Sequence, residues 1–192
     1  MKGEPPGSGR PAGAGRRWGA WLIALSLFIS AGPVHAVDSF TTTTTLLRNQ
    51  EYAEALLKRI GTARESIVCS FYLFKITETR NNQPRRIAEE LVRARKRGVA
   101  VTVILEKGKS ARDKLSAENR NTADLLTRNG VNVYFADPGV TTHNKIVVID
   151  KRYIFLGSHN LTQGALKYNN ELSVLIDSPE MAAEVRTYLE RE

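Results

Sequence analysis

Apolar residues along this chain alternate between two spacings, and the alternation outlines a fold. In "EYAEALLKRI", Tyr52, Ala53, Leu56, Leu57 and Ile60 recur at helical spacing with Gly61 just beyond, which predicts an amphipathic helix stopping at the glycine. "ESIVCSFYLF" is a nearly continuous apolar run of strand length, "NNQPRRIAEELVRARKRG" returns to helical spacing with Gly98 as its stop, and "VAVTVILE" is a second buried strand. Strand, helix and strand in that order predict a parallel pair covered on both faces. The alternation continues with a helix over "AENRNTADLLTRNG" and a strand at "VNVYFA". "KIVVID" and "YIFLG" are strands separated by the short Lys151-Arg152 connection, which reads as a hairpin. A strand at "ELSVLI" and a closing helix with Pro179 in its first turn complete the pattern.

The elements together predict an α/β fold, one domain with a mixed β-sheet flanked by helices on both faces. The hairpin excludes a purely parallel sheet. No internal repeat is visible, and the pattern leaves the pairing order open. Residues 37–45 form a threonine-rich lead-in, either a linker or an edge strand, and the catalytic-domain pattern runs over residues 46–192.

The first 36 residues read differently. Arg16 and Arg17 precede "WGAWLIALSLFISAG", an apolar run of fifteen residues, and Val34-His35-Ala36 follows with the small residues that a signal peptidase accepts. A permanent span needs about 20 apolar residues. The expectation is a cleaved signal peptide over residues 1–36 and an exported, periplasmic or secreted chain, with an uncleaved membrane anchor as the alternative. The lone cysteine, Cys69, lies in an apolar run, so no disulfide within the chain is possible and the core must hold the fold.

Charge narrows the partners. The chain carries 28 Lys and Arg against 20 Asp and Glu, a formal +8. Without residues 1–36 the balance is 24 to 19, or +5. That favours polyanions such as nucleic acid or anionic lipid over acidic proteins, although a plain solvated surface has the same composition. Within "EKGKSARDKLSAENRN", Lys107, Lys109, Arg112 and Lys114 form a basic loop that is either a nucleic-acid backbone contact or a solvated segment.

Candidate chemistry concentrates in "THNKIVVIDKRYIFLGSHN". His143 and Lys145 are one residue apart, so on an extended segment both side chains project to one face, an imidazole beside an ammonium. Ser158 and Asn160 alternate in the same way at the end of the next strand, and a hairpin brings the two strand ends together. Imidazole, ammonium, hydroxyl and amide groups suit a phosphodiester. Lys145 and Asn160 can bind the non-bridging oxygens that carry the charge in phosphoryl transfer. A histidine with an ordinary pKa near 6.5 is partly neutral at physiological pH and can attack phosphorus, so a phosphohistidine at His143 is feasible. Glu171 opens the following strand and is the candidate carboxylate to orient that imidazole. Asp150 lies roughly 23 Å along an extended strand from His143 and reads as a structural residue closing the turn. At about one in twenty per position, six fixed residues recur by chance roughly once in tens of millions of starting points.

These six residues, His143, Lys145, Asp150, Gly157, Ser158 and Asn160, resemble the HKD motif of the phospholipase D superfamily. The likeness extends over about residues 46–192, whose successive pieces look like the short, one-motif bacterial endonucleases of that superfamily. It implies His143 as nucleophile, Lys145 and Asn160 as phosphate ligands, Ser158 as a supporting contact, Glu171 as the orienting carboxylate, and chemistry without a metal ion or other cofactor. "KITETRNNQPRR" is longer and more polar than such a connection requires and reads as part of the substrate entrance.

Hydrolysis through a covalent intermediate also needs an acid for the leaving oxygen and a base for water. One motif supplies one well-placed imidazole, because His159 alternates to the face opposite Ser158 and Asn160. Two copies of the chain meeting across a twofold axis would complete the set, and the resemblance implies the same homodimer. The expectation is therefore an exported phosphodiesterase cleaving DNA or RNA. A phospholipase D acting on phospholipid head groups and a non-catalytic nucleic-acid-binding module are the alternatives.

Overall fold

A computed structural model of the chain describes residues 39–191, apart from 111 and 138. The signal peptide expected over residues 1–36 lies outside the described residues. Seven strands and five helices follow in the order β1 (Thr43–Arg48), α1 (Gln50–Thr62), β2 (Ser66–Phe71), α2 (Gln83–Lys96), β3 (Ala100–Leu105), α3 (Lys114–Arg128), β4 (Asn132–Phe135), β5 (Lys145–Ile149), β6 (Tyr153–Gly157), α4 (Gln163–Lys167), β7 (Leu172–Asp177) and α5 (Pro179–Leu189). One sheet holds all seven strands in the order β1-β7-β6-β5-β2-β3-β4. Strands β2, β3 and β4 run parallel, while β5, β6, β7 and β1 are joined antiparallel, so the sheet is mixed.

Alternation along each strand sends its side chains into two cores. On one face Ile67, Cys69, Phe71, Val101, Val103, Leu105, Val147, Ile149 and Phe155 pack with Tyr52, Leu56 and Ile60 of α1, Ile87 and Leu91 of α2, Leu126 of α3 and Leu166 of α4. On the other, Ile104, Ile146, Val148, Ile154 and Ile176 pack with Ala182 and Leu189 of α5. Among the described residues helices flank both faces, four on one side and α5 alone on the other. Cys69 is buried in the larger core, and burial pushes its thiol up to about 12.

Several boundaries differ from the sequence expectation. The helix expected to stop at Gly61 runs on to Thr62. The third helix begins at Lys114, because the Asp113 side chain accepts from Ser116 N and caps it, so the basic segment is a loop only up to that point. Of the two possibilities for the threonine run, the edge strand is observed: Thr43, Thr44 and Thr45, assigned to the lead-in, pair with β7 inside the sheet. Helix α4 was not foreseen at all.

The hairpin is present, but its turn is Asp150-Lys151 rather than Lys151-Arg152. Both residues take left-handed φ, 51° and 52°, and Arg152 N donates to Ile149 O at 3.1 Å, closing a turn whose twist matches the strands. That conformation usually selects Asn and Gly. Here the Asp150 carboxylate offsets the strain by accepting the backbone N–H groups of Arg64 (3.1 Å), Glu65 (2.8 Å) and Ser66 (3.2 Å), which fixes the entry to β2.

Candidate active site

Strand direction collects the chemistry at one end of the sheet. Because β5 runs against β2 and β6 against β5, the ends of β2, β3 and β6 lie beside the beginnings of β5 and β7. Phe71 pairs with Lys145, Ile146 with Leu156 and Gly157 with Ser173, so His143, Lys145, Ser158, Asn160 and Glu171 come to the same edge. An isolated bridge between Phe74 and Leu161 continues the closure beyond the strands.

His143 is exposed, while Lys145 is 8% exposed. Lys145 Nζ lies 3.3 Å from His143 Nδ1 and donates to His143 O at 2.7 Å, so the ammonium anchors both ring and backbone. Burial lowers the Lys145 pKa from its ordinary value, and the negative charge of Glu171 opposes that shift. Ser158 is exposed and donates to a Glu171 carboxylate oxygen, and Asn169 Nδ2 donates to the other at 3.1 Å. Strand spacing of about 4.8 Å puts β5 and β7 roughly 10 Å apart with β6 between them, so Glu171 meets Ser158 rather than His143 in this arrangement. Asn160 Oδ1 is buried without a hydrogen-bond partner.

Gly157 is required by close approach. A Cβ there would come within 2.5 Å of Ser173 Cβ and nearer still to Ser173 Cα and Oγ. His159 is completely buried, its ring stacked on Tyr52 at 4.3 Å, with Nε2 2.9 Å from Asn49 O and Nδ1 2.7 Å from Ser173 Oγ. A carbonyl only accepts, so Nε2 carries the proton and Nδ1 accepts from the serine. Burial lowers the His159 pKa below its ordinary value, against smaller raising effects of the Asn49 carbonyl and Glu171. This imidazole is part of the frame.

Two residues escaped the sequence reading. Tyr72, one residue past β2, places its ring 4.7 Å from the His143 ring, and its N–H donates to Asn144 O at 2.9 Å. Lys145 Nζ lies 5.4 Å from the centre of the same ring. Glu106, one residue past β3, is 5% exposed and accepts Thr142 N at 2.6 Å and Gly108 N at 2.8 Å. The available signal was position: both end apolar strands, and ligand sites in open α/β sheets gather at strand carboxyl ends. Lys107, Lys109, Arg112 and Lys114 are all exposed next to this edge. Among the described residues no group of three His, Cys, Asp or Glu side chains is placed to hold a metal ion, and no helix is long and apolar enough to cross a membrane.

A mixed sheet on an α/β scaffold thus carries imidazole, ammonium, hydroxyl and amide groups at one set of strand ends. Residues 56–192 match the family described as cardiolipin synthase, PLD-like domain, and the chain belongs to the phospholipase D superfamily, a class of phosphodiesterase enzymes. It is 32% identical over 126 residues to a protein named phospholipase D from Rickettsia bellii, covering 65% of this chain and 55% of that one. The chain therefore spans about half the length of the curated relatives it matches. Its fold is similar to the crystal structure of a phospholipase D family member, Nuc from Salmonella typhimurium, with TM-score 0.64 and 22% identity over 79% of this chain and 94% of that one. NucT from Helicobacter pylori gives TM-score 0.62 and 22% identity over 79% and 95%.

Proposed function

We propose that this chain is an exported, metal-independent endonuclease that hydrolyses DNA or RNA phosphodiesters through a phosphohistidine at His143. The observation that carries the reading is the pairing of an exposed imidazole with the Lys145 ammonium 3.3 Å from its Nδ1. Lys145 can only donate, so Nδ1 accepts in the free chain. A phosphate oxygen that draws Nζ to itself releases Nδ1 to hold the proton, and Nε2 then has the lone pair. Glu171 exchanges the Ser158 hydroxyl for that Nδ1–H, which frees Ser158 Oγ to donate, with Asn160 Nδ2 and Lys145 Nζ, to the non-bridging oxygens.

His143 Nε2 forms a bond to phosphorus, the bond to the leaving oxygen breaks, and that oxygen takes a proton from an imidazolium. Water then attacks phosphorus and loses its proton to the same imidazole, the phosphorus–nitrogen bond breaks, and its electron pair returns to Nε2. The second imidazole is that of another copy of the chain, because buried His159 is committed to Tyr52, Ser173 and Asn49. Asp150 serves the turn, and the exposed cations Lys107, Lys109, Arg112 and Lys114 favour a polyanion beside the site.

The relatives named phospholipase D make a phospholipid head group the second reading. One assay separates the readings: purified chain in excess chelator is offered plasmid DNA, RNA and phosphatidylcholine, with His143→Ala as control. The proposal expects nucleic acid to be cut and the variant to be inactive. Turnover of phosphatidylcholine alone selects the lipid reading, and no turnover leaves the binding module. Dimers with one wild-type and one His143→Ala copy are expected to be nearly inactive, and full activity in an isolated monomer would remove the shared site. N-terminal sequencing of the exported protein tests cleavage after Ala36.

A further inference from the structure

We propose that Glu106 is a positioning residue that couples the basic loop to His143, so that nucleic acid held by the loop is registered on the attacking imidazole. The inference rests on the nucleic-acid reading above. Burying a carboxylate is expensive unless its oxygens are satisfied, and Glu106 satisfies them in an informative way. One oxygen accepts Thr142 N at 2.6 Å, the residue before His143, and the other accepts Gly108 N at 2.8 Å, inside the basic loop. Two loops thus share one anion as their fixed point. A glutamine of the same shape presents one acceptor and one donor, and can hold only one of the two.

Both sides of the link are stiff. Toward the site, Tyr72 N holds Asn144 O at 2.9 Å and Lys145 Nζ holds His143 O at 2.7 Å, so the backbone around His143 is tied at three consecutive residues once Glu106 takes Thr142. Toward the loop, Asn119 Nδ2 donates to Glu106 O at 2.8 Å, Ser116 Oγ donates to Lys107 O at 2.5 Å, and Asp113 accepts Ser110 N at 2.9 Å. Gly108 has φ +76°, and a Cβ there would come within 2.8 Å of Asp113 Oδ2 and closer to Ser116 Oγ, so the backbone is bent to bring its N–H to the carboxylate. Lys107 and Lys109, on either side of that glycine, are exposed. A phosphate chain lying on them is two hydrogen bonds from the residue preceding the nucleophile.

The test compares wild type with Glu106→Gln, both 15N-labelled and matched for folding by their urea midpoints. A phosphorothioate oligothymidylate is titrated in while the amide signals of Gly108, Thr142 and Asn144 are followed. In wild type the perturbation should reach all three, and in Glu106→Gln the Gly108 and Thr142 responses should separate, with Thr142 or Gly108 no longer moving with the other. Turnover of bis(4-nitrophenyl) phosphate by the variant should fall roughly tenfold to a hundredfold, while the pre-steady-state burst amplitude, which counts folded sites, stays at the wild-type value. Joint movement of Gly108 and Thr142 in the variant, a silent Thr142 or an unresponsive loop in wild type, or a rate loss matched by lost amplitude would each overturn the coupling. Absence of turnover in wild type with normal amide coupling would instead count against the phosphodiesterase reading and leave the link standing.

Discussion

Replacing Asp150 by alanine should unfold the protein more readily without touching its chemistry. The carboxylate accepts three backbone N–H groups, those of Arg64, Glu65 and Ser66. Hydrogen bonds to a charged partner contribute about 1.5–3 kcal/mol when water cannot replace them. The Arg64 and Glu65 contacts are exposed and the Ser66 contact is half-buried, so we take roughly 1.5 kcal/mol for Ser66 and about 0.5 kcal/mol for each of the others. Alanine at the left-handed φ of 51° adds strain of about 1 kcal/mol. The loss is about 3.5 kcal/mol, or a fall in Tm of roughly 7–14 °C for a domain of this size. Asp150→Asn keeps one acceptor and tolerates the left-handed turn, so about half that loss is expected. Urea denaturation at pH 7 measures it, with phosphodiester turnover per folded molecule measured in parallel. A five-residue strand, about 16 Å, separates Asp150 from Lys145, and the folded variant should keep its kcat. A variant that loses less than about 0.5 kcal/mol yet has no activity would instead move Asp150 into the chemistry.

Two further outcomes follow from the frame. Since burial holds His159 below its ordinary pKa, the unfolded chain binds a proton that the folded chain refuses. The resulting penalty is absent above about pH 6.5 and grows as pH falls through the folded value, so stability drops on acidification in that window. His159→Gln should flatten the drop between about pH 7 and 5.5 in urea midpoints, and an unchanged slope would show that another group carries it. Gly157→Ala forces a Cβ into Ser173, which also hydrogen-bonds His159; a loss of at least about 2–3 kcal/mol is expected, and a midpoint within error of wild type would contradict the close approach.

Much of this architecture is visible in local pattern because helix and strand spacings are local properties. "ESIVCSFYLF" and "VAVTVILE" form adjacent parallel strands, and the order of strands and helices implies the mixed sheet. What stayed hidden depends on pairing between distant segments. Edge strand β1 is defined by β7, about 130 residues away, and no periodicity in five threonines announces it. Helix α4 has five residues, too few for a repeat. At the site, the one-residue separation of His143 and Lys145 was enough to place ammonium by imidazole, whereas Tyr72 and Glu106 join them only through sheet register. Glu171 illustrates the limit of proximity in sequence: strand order interposes Ser158, and the carboxylate binds that hydroxyl in this conformation.

Passage of phosphorus through His143 is read by rapid acid-free quenching of the chain with a small phosphodiester in chelator, followed by intact and peptide mass spectrometry. A phosphoryl adduct is expected on His143, acid-labile and stable to base, absent from His143→Ala and undiminished by chelator. Turnover with no adduct, or an adduct on another residue, would contradict it.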